Sequence, residues 1–115
     1  MKDFTELGFW KDAHSLANEI YDTTYKFPKS EMFGLTSQLR RASLSVPTNI
    51  VEGCGRESVK ELRRFLIIAS GSISEVQYLL FFSHGRKFIT KEEYEILNAK
   101  SISIKKRLTI YKNKL

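Results

Sequence analysis

Cysteine is nearly absent from this 115-residue chain, and its other scarcities exclude several classes of protein. The one thiol, Cys54, can close no internal disulfide and build no cysteine-rich metal cluster, which suits a reducing cytosol. No apolar run approaches the roughly 18–20 residues of a membrane span; the run Leu79 to Phe82 is a single helical turn. The first residues carry Asp3 and Glu6 and no apolar core of a signal peptide, so neither export nor membrane attachment is expected. There is no low-complexity tract. Nothing alternates with the two-residue period of a strand.

Acid is the other scarcity, and it is local. Residues 1–99 hold 13 basic and 13 acidic side chains and sum to zero. From Lys100 onward there is no acid, while Lys100, Lys105, Lys106, Arg107, Lys112 and Lys114 supply the whole net charge of +6. A stripe of this kind suits a polyanion, because each neutralised phosphate releases counterions. It equally suits a solvated face whose cations sit near a helix C-terminus. Charge alone leaves both readings open.

What is abundant is apolar periodicity at three and four residues. A first helix is expected from about Leu7 to Phe27, with Trp10, Ala13, Ala17, Ile20, Thr24 and Phe27 on one stripe, widened by Leu7, His14 and Tyr21. Pro28 ends it. A second is expected from Ser30 or Glu31 to about Gly53, with a stripe of Leu35, Leu39, Ala42, Val46 and Ile50 and a kink at Pro47. Gly53 and Gly55 stop it, with glycine available for a left-handed cap. Ser58 and Glu61 have capping-box spacing and open a third helix that Gly85 ends; Gly71 within it suggests a close helix crossing. Thr90 and Glu93 open the fourth, whose stripe is Tyr94, Leu97, Ser101, Ile104, Leu108, Tyr111 and Leu115. Short connections between such helices give an all-α, antiparallel up-down-up-down four-helix bundle of one domain, about 30–40 Å long.

The stripe of the third helix is Leu62, Phe65 or Leu66, Ala69, Ile73, Val76, Leu80 and Ser83, and Ile67, Ile68, Phe81 and Phe82 lie off it. A helix apolar over more than its inward arc needs a second surface to cover it.

No catalytic or metal constellation emerges. His14 and His84 sit on different helices without a second ligand at i+3 or i+4. Cys54 has no base nearby in sequence and reads as a buried small residue. Gly53 to Ser58 lacks the preceding strand and the Gly-Lys-Ser/Thr ending of a phosphate loop. No enzyme activity, cofactor or metal is expected.

The run Gly34 to Arg56 is the distinctive stretch, with paired arginines, serines near the core side, Pro47, and Asn49 with Glu52. It admits a structural account, in which Glu52 pairs with Arg56 and polar groups satisfy a kinked backbone. It also admits a functional one, in which Arg40, Arg41 and Arg56, joined by Arg63 and Arg64, form an anion-binding row.

That run, the following Lys60-Glu61-Leu62-Arg63-Arg64-Phe65-Leu66 and Ala69-Ser70-Gly71-Ser72-Ile73-Ser74-Glu75 resemble the four-helix bundle family of 23S rRNA intervening-sequence proteins. Phe9-Trp10-Lys11-Asp12-Ala13, the junction Tyr25-Lys26-Phe27-Pro28 and the stretch Leu80 to Tyr94 resemble it too. The last twenty residues match only in basic, amphipathic character. Cys54 departs from the family, which more often has a bulky residue there.

The resemblance implies a bacterial, cytoplasmic, non-enzymatic bundle that assembles as a homopentameric ring. Some members are encoded within insertions of rRNA genes. A related branch comprises the accessory proteins of diversity-generating retroelements, where a basic pentamer engages reverse transcriptase and nucleic acid. On that footing Ile67, Ile68, Phe81 and Phe82 become candidates for a subunit interface. Arg40, Arg41 and Arg56, with Lys105, Lys106, Arg107 and Lys112, become candidates for RNA or DNA binding without strong sequence preference. The rival reading is a scaffold that recruits a protein such as a reverse transcriptase and touches no nucleic acid.

Overall fold

Two of the four helices begin at a side chain that satisfies free amides of the first turn, and the other two follow short 3-10 turns. In the computed structural model, which describes residues 2–115, the helices are α1 (Gly8–Thr24), α2 (Leu35–Cys54), α3 (Val59–Gly85) and α4 (Lys91–Asn113). Single 3-10 turns at Phe4–Glu6 and Lys29–Glu31 precede α1 and α2. Ser58 accepts from the Glu61 amide to cap α3. Thr90 and Glu93 cap α4 reciprocally, so that capping box is complete.

Neighbours in the chain pack on each other, α1 also packs on α4, and among the described residues the backbones of the diagonal pairs stay further apart. The result is an antiparallel four-helix bundle, 43 × 24 × 19 Å. Its core comprises residues such as Leu16, Ile20, Leu39, Ile50, Leu66, Ile73, Leu80, Ile104 and Leu108, all fully buried. Each such side chain contributes about 1.5–3 kcal/mol on leaving water.

The sequence reading needs correction at four places. The stripe of α1 widens toward Phe9 and Leu16, which are buried, and not toward His14 and Tyr21, which are exposed; Trp10 is half-buried. The second helix starts at Leu35, because the backbone at Gly34 (φ −118°, ψ −111°) departs from the helical path; residues 25–34 form a ten-residue connection. Gly55, which ends α2, is right-handed (φ −81°), and among the described residues the only positive φ belongs to Lys87, at 64°. The close helix crossing lies at Gly53, not at Gly71, which has nothing within 4 Å of where a Cβ would stand.

Helix α2 runs unbroken through the buried Pro47. Polar residues around it turn back onto their own helix. Asn49 donates to the Ser45 carbonyl (2.8 Å) and hydroxyl (2.9 Å), and Thr48 donates to the Leu44 carbonyl (2.8 Å). Ser45 and Ser72 share a hydrogen bond of 2.9 Å between α2 and α3. The structural account of this stretch is met in part: Glu52 pairs with Arg56, at 3.5 Å, while the polar side chains bond the Leu44 and Ser45 carbonyls and not the Ser43 carbonyl that Pro47 deprives of its usual donor.

By length and composition α3 is apolar enough to match a membrane span, with a mean hydropathy of 1.6 over its richest 18 residues, yet only a third of that window is buried in the bundle. Its buried residues recur at core spacing against α2 and α4. The remaining apolar residues face outward.

Candidate nucleic-acid interface

Two rows of cations run down α4, separated by the helical repeat. On the α1 side Lys100 pairs with Glu19 and Arg107 with Asp12. These pairs are partly exposed, so each contributes less than about 1 kcal/mol, but they neutralise two of the six α4 cations.

The α3 side differs. Lys105 donates to the Ser74 hydroxyl at 2.6 Å, and Arg63 donates to the main-chain carbonyl of Lys112 at 2.9 Å. Lys105 and Lys106 line a shallow groove with Gln77, Ile102, Thr109 and Ile110. Lys60 stands one helical turn before Arg63. Among the described residues no carboxylate lies within 4 Å of the charged groups of Lys60, Arg63, Lys105, Lys106 or Lys112. The acids Glu61 and Glu75 of α3 serve its other side. Glu61 holds Arg64 at 2.9 Å, and that hydrogen bond keeps its carboxyl below the usual glutamate range. Glu75 lines a groove with Arg41 between α3 and α2. The lower half of the α3–α4 face is thus a patch of five cations with no carboxylate paired to them among the described residues, Glu61 lying near enough to feel the charge of Lys60.

The structure separates the other candidates. Arg40 is a packing residue: it donates to Thr24 Oγ1 (2.8 Å) and the Tyr21 carbonyl (3.3 Å), with its guanidinium 4.9 Å above the Tyr21 ring. Arg41 is exposed on the α2–α3 side. Arg56 lies over Phe65 at 4.9 Å, and Arg64 lies over the same ring at 4.5 Å. Arg107 faces α1. Of the seven candidates, Lys105, Lys106 and Lys112 share the α3–α4 face and the remainder occupy other sides of the bundle. Lys60 belongs to the patch and was missed; its i, i+3 spacing to Arg63 was the available signal.

Ile67, Ile68, Phe81 and Phe82 are 51%, 40%, 63% and 44% exposed. Tyr78 lies on the same outward line of α3, while the exposed Ile102 and Ile110 of α4 belong to the groove of Lys105 and Lys106. Nothing within the described chain covers them.

His14 stacks on Trp10 (5.4 Å) and His84 on Tyr94 (5.0 Å), toward opposite ends of the bundle. No three His, Cys, Asp or Glu residues among those described come together as metal ligands. Cys54 is buried, and burial pushes its thiol upward, away from the thiolate a nucleophile requires.

The family model described as 23S rRNA-intervening sequence protein matches residues 5–110. Among solved structures, a protein of unknown function from the S23 ribosomal protein family of Bacteroides thetaiotaomicron VPI-5482 superposes with a TM-score of 0.84 at 24% identity. The superposition covers 91% of this chain and 95% of that one, which establishes a shared fold. No curated protein matches the chain.

Proposed function

Because the chain belongs to the 23S rRNA-intervening sequence protein family, we propose that it is a non-enzymatic, cytoplasmic, homo-oligomeric bundle that binds nucleic acid through its α3–α4 face. The patch of Lys60, Arg63, Lys105, Lys106 and Lys112, none of them ion-paired among the described residues, is the observation that carries this reading. Unpaired cations give up little when a phosphate arrives, whereas Lys100 and Arg107 must first leave a carboxylate.

The uncovered apolar line on α3 supports self-association, in keeping with the pentamer the resemblance implies. Repetition around a ring would multiply weak contacts into avidity. A second reading, recruitment of a protein partner, is favoured by Phe33 and Tyr25, which are 97% and 87% exposed on the α1–α2 connection, away from the patch.

Filter binding of the wild-type chain to a structured RNA across a salt series tests the main reading. Affinity should fall steeply with salt, and the double variant Lys106→Gln/Lys112→Gln should reduce both affinity and slope. Absence of binding at about 50 mM salt overturns nucleic-acid binding and leaves the protein-recruiting role.

A further inference from the structure

The antiparallel topology sorts side chains between the two ends of the bundle. One end holds the α1 and α3 N-termini and the α2 and α4 C-termini, and the patch lies in that half. Cutting each helix at its midpoint places eleven of the 19 basic and six of the 13 acidic residues there. Exposed aromatic rings are sorted the opposite way. Tyr21, Tyr25, Phe33, Tyr78, Phe81 and Phe82 all lie in the other half. Near the patch the rings are covered: Phe65 is buried beneath two arginines, and Tyr111 is half-buried with its hydroxyl enclosed.

Proteins that hold single strands combine cations with aromatic platforms on which bases stack, each worth about 1–3 kcal/mol. This patch offers cations and aliphatic side chains only. A purely electrostatic surface prefers the polyanion of higher charge density. A duplex presents a charge per about 1.7 Å of axis and releases about 0.9 counterion per contact, against about 0.7 on a single strand.

Resting on the nucleic-acid reading above, we infer that the α3–α4 patch is a reader of duplex phosphate backbone, indifferent to base sequence. Ser74 holds the Lys105 ammonium and the Lys112 carbonyl holds the Arg63 guanidinium, so two of the five cations are ordered before phosphate arrives. The exposed Tyr78 stands one turn beyond Ser74 and turns toward Phe82, at 6.3 Å between centroids.

The test compares the full-length chain against a 20-base-pair RNA duplex, a DNA duplex of equal length and a 20-nucleotide oligouridylate. Both duplexes should bind more tightly than the single strand, whatever their sequence. With five contacts per chain the logarithmic salt slope should be about −4.5 on duplex and about −3.5 on the single strand. Lys106→Gln should weaken all duplexes alike. Tighter binding to oligouridylate overturns the duplex assignment while preserving nucleic-acid binding. A preference among duplex sequences also overturns it. Failure to bind any of the three probes at about 50 mM salt overturns both readings. Circular dichroism of each variant ensures that lost affinity is not lost fold.

Discussion

Gly53 of α2 passes so close to Phe65 of α3 that a Cβ at Gly53 would stand 2.9 Å from the Phe65 Cβ. It would also come 3.1 Å from Leu62 Cδ1 and 3.2 Å from the Leu62 carbonyl oxygen. The Phe65 Cβ and the Leu62 carbonyl oxygen are attached to or part of the α3 backbone and cannot swing aside. Gly53→Ala should therefore destabilise the fold by about 1–3 kcal/mol through overpacking, despite alanine's better helix propensity. Gly71→Ala, with open space around it, should be neutral or gain up to about 1 kcal/mol in a single chain. Urea unfolding of the two variants measures the contrast, and equal effects would contradict the crossing described.

Arg40 joins the end of α1 to α2 through Thr24 and Tyr21. Arg40→Met should cost about 1–2 kcal/mol of stability, because Thr24 is buried and loses a partner. It should leave the salt slope of RNA binding unaltered. A change in slope would return Arg40 to the binding surface.

Glu93 is held below the usual glutamate range, first by its hydrogen bond from Lys26 and then by the Thr90 amide. A folded-state value below the unfolded one stabilises the protein where the carboxyl is ionised in both states. That stability disappears as pH falls through the folded value. Wild type should thus exceed Glu93→Gln in thermal stability at pH 7, and the gap should close below about pH 4. A gap independent of pH would deny the ionic role.

The exposed line on α3 predicts self-association. Light scattering should give a mass that is a multiple of 13.3 kDa. Ile67→Lys with Phe81→Lys should lower that mass without reducing helicity, since both side chains are exposed in the single chain. A wild-type monomer would sink the interface and the avidity argument with it.

Some of this was legible in residue order because it depends on neighbours along the chain. Helix number, the caps at Ser58 and Thr90, and the buried thiol of Cys54 all follow from local spacing and side-chain chemistry. The start of α2 was not legible, because the 3-10 turn at Lys29–Glu31 carries the same capping and apolar signals as a true helix start. The buried side of α1 was also misplaced. Trp10 and Phe9 are adjacent and both apolar, and only the partner helices decide which one points inward.

The charge followed the same division. Sequence by itself determined that the excess cations belong to α4, because acids are absent after Glu95. Only the tertiary structure decided which of them are free. Glu19 and Asp12 of α1 come across the bundle to neutralise Lys100 and Arg107, while Ser74 and Arg63 of α3 bring no negative charge to Lys105 and Lys112. Periodicity is written in bonds a few residues long, but charge pairing depends on which helices become neighbours, and that is settled only when the core closes.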